Sequence, residues 1–229
     1  MEDKDTNKKI FAIIPAYNES RVIQDVLREI RASGFTSIIV VDDGSMDETY
    51  QKAGEIEGVV ALKHFINRGK GAAVKTGIEA AKLLDADIAV TLDGDGQHNP
   101  HDIPKMIAFI EQGFDVVLGT RLKNPEGMPK YKILANHMGN FFTFLIYGLW
   151  VTDSQSGFRA YSKKAIGLID TKTDRYEYDS EVIREISRNK LKFMEIPIEV
   201  RYTEYSMNKK DKMNFKNGLK TLIKMIISA

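Results

Sequence analysis

Ile88-Ala89-Val90-Thr91-Leu92-Asp93-Gly94-Asp95-Gly96-Gln97 joins a short apolar run to a cluster of carboxylates and glycines. The apolar part is bounded by turn residues and reads as a strand. The same grammar recurs on both sides of it. Ile10 to Ile14 ends in Pro15-Ala16-Tyr17-Asn18-Glu19, and Ser37 to Val41 ends in Asp42-Asp43-Gly44-Ser45. Val59 to Leu62 precedes Asn67-Arg68-Gly69-Lys70-Gly71, and Val116 to Leu118 precedes Gly119-Thr120-Arg121. Helical spacing separates the runs. Val22, Val26, Leu27 and Ile30 share a face, Asp47 can cap a helix towards Ile56, and a small-faced helix spans Ala72 to Leu84. A further helix is expected from Pro104 to Glu111.

Strand and helix in regular alternation predict a mostly parallel sheet with helices on both faces. In such sheets ligands sit beyond the carboxyl ends of the strands, where every unusual cluster above is found. Past Arg121 the alternation stops. Asn124 to Lys130 reads as a loop, Tyr131 to Leu149 as a long helix, and Asp153 to Arg159 as a polar turn region. Asp179 or Ser180 can cap a helix to Asn189. Phe193 to Val200 is expected at a sheet edge because it contains Pro197. Beyond a basic stretch from Met207 to Lys212, Phe215, Leu219, Leu222, Ile223, Ile226 and Ile227 share one face of a final amphipathic helix.

The chain has 229 residues and a formal net charge of +1, which fits one domain and gives no electrostatic argument for nucleic acid. It has no cysteine, which excludes disulfides, zinc-thiolate sites and thiol nucleophiles. Met1 to Lys9 lacks the apolar stretch of a secretory signal. Phe141 to Val151 is too short to span a bilayer. A cytoplasmic chain is expected, peripheral on the cytoplasmic face of a membrane.

The chemistry concentrates in the strand-end clusters. Asp93 and Asp95 flank a glycine that permits close backbone approach, and hard oxygen ligands of this kind suit Mg²⁺ or Mn²⁺ on a diphosphate. Gln97 can add a neutral oxygen. An ordinary Asp-Gly turn is the bland alternative, disfavoured by the row of similar loops. An acidic residue at Asp42 can accept hydrogen bonds from a ribose or base, or simply make an Asx turn. The Asn67 to Gly71 loop, with Lys70, can cradle phosphate through backbone amides and two cations, although its spacing is not that of a P-loop.

These clusters, in this order, resemble the motifs of inverting family-two glycosyltransferases of GT-A fold. Together with Thr152-Asp153-Ser154-Gln155-Ser156-Gly157-Phe158-Arg159, they are most similar to the polyprenyl-phosphate branch that includes dolichyl-phosphate mannose synthases. The resemblance implies a single catalytic domain over 1–229, with a nucleotide-sugar half (1–121), an acceptor half (122–205) and a basic tail (206–229). It implies that Pro15, Tyr17, Glu19, Asp42, Lys70, Asp93 and Gly94 hold the nucleotide. Asp93, Asp95 and Gln97 would hold Mg²⁺ or Mn²⁺. Arg121, Arg159, Arg201 and Lys209 or Lys210 would meet phosphate charge. The relatives carry Ser-Lys where this chain reads Ser206-Met207, and Asp-Ala-Asp-Leu where it reads Asp93-Gly94-Asp95-Gly96. Both UDP-sugars and GDP-mannose therefore remain open as donors.

The implied reaction is displacement at the anomeric carbon with inversion, the acceptor being a polyprenyl or dolichyl phosphate. An anionic phosphate acceptor needs no strong base; an alcohol would, and Asp153 is then the candidate, unless it only pairs with Arg159. His98 and His101 are read as loop residues. The Tyr131 to Leu149 helix and the basic tail can contact a lipid surface or a small membrane subunit, or pack on the domain. A soluble transferase with a saccharide or other alcohol acceptor and a non-catalytic nucleotide-sugar-binding protein are the competing readings. A sugar nucleotidyltransferase would start with a glycine-rich basic loop, which Tyr17-Asn18-Glu19 is not. A phosphoacceptor signalling domain would leave Asp93-Gly94-Asp95 without a purpose.

Overall fold

A computed structural model describes residues 8–123, 128, 130–175, 177–201 and 205. Its elements are β1 (Ile10–Ala16), α1 (Ile23–Ala32), β2 (Ile38–Asp42), α2 (Thr49–Gly54), β3 (Val59–Lys63), α3 (Lys70–Leu83) and β4 (Ile88–Thr91). Then follow α4 (Ile103–Glu111), β5 (Val116–Thr120), α5 (Lys130–Tyr147), β6 (Arg159–Ser162), α6 (Lys163–Leu168), α7 (Glu177–Arg188) and β7 (Phe193–Pro197). The strands form one seven-stranded sheet in the order β3-β2-β1-β4-β6-β5-β7.

Alternation within the strands supplies both faces of that sheet. Ile38 and Val40 of β2 pack in a core with Ile23, Leu27 and Ile30 of α1 and Ile103 and Met106 of α4. Ile39 and Val41 point the other way, to Ala73, Val74 and Ala81 of α3 and Val182, Ile183 and Ile186 of α7. Each fully buried aliphatic side chain of this size stabilises by roughly 1.5–3 kcal/mol. The small face of α3 has a steric cause: a Cβ on Gly77 would overlap the Ile13 side chain, so the helix can lie close on β1.

Two differences from expectation position the site. Arg159–Ser162 is a strand, β6, running antiparallel between β4 and β5, with Arg159 opposite both Thr91 and Leu118. Its direction delivers the Asp153 to Phe158 segment to the edge where the parallel strands end. The helix expected to be capped by Asp179 or Ser180 begins earlier, at Glu177, and Asp179 is buried. β7 is an edge strand as expected and stops at Pro197, which is paired with Thr120. α5 stops at Tyr147 because Gly148 adopts φ 71, a left-handed conformation that commonly ends helices. The amphipathic helix expected beyond Lys212, the basic stretch from Met207 to Lys212 before it, and Tyr176 lie outside the described residues.

Candidate active site

The loop after β4 is built to hold two carboxylates in place. A Cβ on Gly94 would lie 3.0 Å from the Pro15 carbonyl oxygen and 3.2 Å from Ile14, so the glycine lets the loop press on the end of β1. Asp95 Oδ1 accepts from the Gln97 amide at 3.1 Å. His98 Nδ1 accepts from the Asp93 amide at 3.2 Å, and its ring lies 5.1 Å from that of Phe158. His98 is buried, and burial pushes its imidazole down to about 4 despite the nearby Asp93 charge. It lies in the loop after β4, as expected, and it buttresses the carboxylate loop in its neutral form.

Asp93 makes a direct ion pair with Lys70, the first residue of α3, at 2.6 Å. Burial alone would raise the Asp93 carboxyl, but Lys70, His98 and Arg121 hold it well below the usual carboxylate range. Burial likewise opposes the Lys70 ammonium, yet Asp93 and Asp179 hold it above the ordinary lysine value. Both members of the pair are therefore ionised at neutral pH.

Arg121 and Asp153 form a second, bidentate pair. Arg121 donates Nε–H and Nη2–H to the two Asp153 oxygens at 2.7 and 2.8 Å, and its amide adds a bond at 3.0 Å. Asp153 thus pairs with Arg121, not with Arg159. Asn140 of α5 accepts from Ser154 N–H and Oγ–H, both at 2.9 Å, tying this turn to the long helix. Arg159 is 1% exposed and donates to the carbonyls of Ser154 (2.7 Å) and Asp179 (3.1 Å), with Asp179 Oδ1 at 3.4 Å. Its guanidinium holds the Ser154 turn against α7 rather than lying open on the rim.

The remaining expected residues surround the end of β1. Pro15 is the penultimate residue of that strand, and Glu19 is buried, with Oε2 accepting from Tyr205 at 2.9 Å. Tyr17 is half-buried nearby in the chain. Asp42 accepts from the Ser45 amide at 2.8 Å through Oδ1. Its Oδ2 is buried, has no hydrogen-bond partner among the described residues and lies 3.5 Å from Lys63. The adjacent Asp43 accepts from the amides of Arg68 (3.0 Å) and Gly69 (2.7 Å) and pairs with the His64 ring at 2.7 Å. Those two loop amides consequently serve a protein carboxylate, which corrects the expectation that they cradle phosphate. Arg68 itself pairs with Asp174, leaving Lys70 as the loop side chain that contacts Asp93.

Arg201 is placed away from the acidic pair. Its guanidinium contacts Glu29 of α1 at 2.6 Å, while its amide donates to the Gln97 carbonyl at 2.8 Å. Lys209 and Lys210 lie outside the described residues. The structure brings Asp93, Lys70, His98 and the Arg121–Asp153 pair together. It also reveals Gly157 as part of the site, because a Cβ there would overlap the Lys70 ammonium and lie 3.0 Å from Asp93 Oδ1. The Ser-Gly-Phe-Arg run carried that signal only as a motif; spacing offered no partner for it.

Among the described residues, no three carboxylate or histidine groups form a ready-made metal cage. That donor set nevertheless fits Mg²⁺ or Mn²⁺, which can be held by one or two carboxylates with the balance from waters and substrate phosphates. Asp93 and Asp95 are the carboxylates, and Gln97 lies within the same loop.

The sequence matches the model of Glycosyl transferase family 2 over residues 11–168. It is 43% identical over 223 residues to the UDP-N-acetylglucosamine–dolichyl-phosphate N-acetylglucosaminyltransferase of Methanococcus voltae, covering 88% of this chain and 89% of that one. Polyprenol monophosphomannose synthase of Mycolicibacterium smegmatis is 24% identical over 225 residues, covering 93% and 84%. The solved glucosyl-3-phosphoglycerate synthase of Mycobacterium tuberculosis, in complex with Mn²⁺, UDP and glucosyl-3-phosphoglycerate, aligns with a TM-score of 0.68 at 17% identity, covering 96% and 78%. That last likeness is one of fold.

Proposed function

Because the chain belongs to glycosyl transferase family 2 and has the GT-A fold, we propose that it moves a sugar, with inversion, from a nucleotide-sugar to a polyprenyl or dolichyl phosphate. Residues 1–121 hold the donor and 122–205 the acceptor. The observation that carries this reading is the meeting of Asp93, Lys70 and the Arg121–Asp153 pair at the carboxyl ends of β4 and β5.

A divalent cation held by Asp93 and Asp95, with Gln97 as a neutral third oxygen, would neutralise charge on the departing diphosphate. The chain's own groups do the rest. Glu19 and Asp42 are the acceptors for the nucleoside. Lys70 and Arg121 place fixed positive charge where the diphosphate leaves. The anomeric carbon loses its bond to the diphosphate oxygen, whose electron pair departs with the nucleoside diphosphate. An acceptor phosphate oxygen forms the new bond on the opposite face. Both Asp153 oxygens are already held by Arg121, which supports an acceptor that arrives anionic over an alcohol needing a base. Arg159 acts at one remove, fixing the Asp153 to Ser156 turn.

The outer face of α5 supports a peripheral membrane position. Leu134, Met138, Phe141 and Leu145 recur at i, i+4, i+7 and i+11 and are all exposed. Exposed Trp150 packs edge-on against Phe144, and Ile133 to Thr152 contains no Asp, Glu, Lys or Arg. The inner face of the same helix holds the Asp153 turn through Asn140. No described helix is long and apolar enough to cross a membrane.

The deciding experiment supplies polyprenyl phosphate with labelled UDP-N-acetylglucosamine, other UDP-sugars or GDP-mannose, and follows label into the organic phase. Transfer is expected with a UDP-sugar and a divalent ion. EDTA or Asp95→Ala is expected to lower it at least about 100-fold with the circular dichroism spectrum unchanged. Full activity under either condition would refute the metal assignment.

A further inference from the structure

The contact between Lys70 and Asp93 is unusual for an ion pair placed at a cation site. Asp93 is one of the two carboxylates available to the divalent ion, and its Oδ1 already has an ammonium at 2.6 Å. Space for that ammonium exists only because residue 157 lacks a side chain. The backbone carrying Lys70 is held firmly. A Cβ on Gly69 would lie 2.5 Å from the Asp174 carbonyl oxygen, and one on Gly71 would lie 2.5 Å from Tyr178 Cβ, so the two glycines are pressed against the first turn of α7 and the chain before it. The side chain, by contrast, is 30% exposed and its partner 28%. The pair therefore has a fixed base and an open side.

The surrounding cations are engaged differently. Arg121 has its fork on Asp153, and Arg159 has its own on Ser154 and Asp179. His98 meets the Asp93 amide through an unprotonated nitrogen. Among the described residues, Lys70 makes the close ion pair with the Asp93 carboxylate. An ammonium and a divalent ion repel one another, so sharing one carboxylate oxygen at contact distance is disfavoured. A partly buried carboxylate with no counter-charge would in turn disfavour the assembled loop.

We propose that Lys70 is a resident counter-cation for Asp93, which yields the carboxylate to the divalent ion and then turns its ammonium to the donor diphosphate. This rests on the reading of Asp93 as a metal ligand. It assigns Lys70 two successive partners, and gives Gly157 the task of leaving room for the first. In the metal-free protein Lys70 keeps the loop neutralised. Once displaced, the same charge is delivered beside the leaving group, within reach of a residue whose backbone has not moved.

The consequence is an effect of opposite sign on two ligands. Mn²⁺ binding is measured by electron paramagnetic resonance without nucleotide, and UDP binding by calorimetry at saturating Mn²⁺. Lys70→Gln is expected to bind Mn²⁺ at least about tenfold more tightly, since its competitor is gone, and UDP about tenfold more weakly. Lys70→Arg, which keeps the charge, is expected to restore most of the UDP affinity. In the wild-type protein, mass-spectrometric mapping with an amine acylating reagent provides a measurement free of substitution. Lys70 labelling is expected to rise on adding Mn²⁺ and fall again on adding UDP.

Weaker or unchanged Mn²⁺ binding by folded Lys70→Gln, or Lys70 labelling indifferent to Mn²⁺, would overturn the proposal and make the pair a permanent strut. Asp93→Asn separates the underlying assumption: if it binds Mn²⁺ as the wild type does, the metal assignment itself has failed.

Discussion

His98 lies on the same loop as the two carboxylates, yet its structural work is done by an unprotonated nitrogen facing the Asp93 amide. Burial is the leading reason that its imidazole is held down to about 4, against an ordinary value of about 6.5, with Asp93, Lys70, Arg121 and Asp153 contributing charge around it. Between those two values the unfolded chain takes up a proton that the folded chain refuses. Stability is therefore fully present above about pH 6.5 and declines as pH falls towards 4. For the protein kept in EDTA, this residue alone is expected to remove about 2 kcal/mol between pH 8 and pH 5. Urea unfolding across that range measures it. His98→Gln can still accept from the Asp93 amide and is expected to flatten the slope; an unaltered slope would assign the pH dependence elsewhere. The identity of His98 as a buttress was not legible in the sequence, because a histidine beside Asn99 and Pro100 reads as a loop residue until Phe158 is brought against it. Lys70 and Asp93 present the same difficulty: each stood out by its motif, but nothing in their separation showed that they touch.

At the level of elements, legibility followed burial. β1, β2 and β4 were readable because apolar runs, unbroken on both faces, ended abruptly in polar clusters, and the structure moves their ends by at most two residues. β6 was not readable, since Arg159-Ala160-Tyr161-Ser162 is short, starts with a charge and depends on β4 and β5 for its pairing. Asp43 was visible as acidic, but its clasp on the Arg68 and Gly69 amides is a long-range contact that periodicity cannot register. The small face of α3 was legible as a pattern, and its cause is now specific. Gly77→Ala gains helix propensity worth about 1 kcal/mol, yet the added methyl must displace Ile13 from the centre of the sheet. Overpacking of this kind costs about 1–3 kcal/mol. A net loss of stability, read as a lower urea midpoint with an unchanged slope, is the expected result, and a higher midpoint would mean that α3 can move off β1 without penalty.

For the whole molecule, the proposed function raises the question of how a water-facing donor site would meet an acceptor whose tail belongs in a bilayer. The sheet places the acidic loop and the Asp153 turn on one edge, and α5 carries the turn on its inner face and the apolar stripe on its outer one. Docking the stripe on a lipid surface would bring the acceptor phosphate to that edge while the tail stays in hydrocarbon. The chain has a single tryptophan, and Trp150 lies beside this stripe, 5.6 Å from Phe144. Its emission is therefore a local reporter. Vesicles of mixed neutral and anionic lipid are expected to shift it to the blue, and brominated acyl chains to quench it. Phe141→Ser with Leu145→Ser is expected to lower vesicle binding about tenfold or more, since each buried side chain contributes roughly 1.5–3 kcal/mol. The same double variant should keep its transfer rate to a short, water-soluble isoprenoid phosphate and lose it only towards acceptor presented in vesicles. Equal loss on both acceptors would place the stripe inside the protein's own packing, and a change from dimer to monomer on substitution would make it a surface for a second copy of the chain.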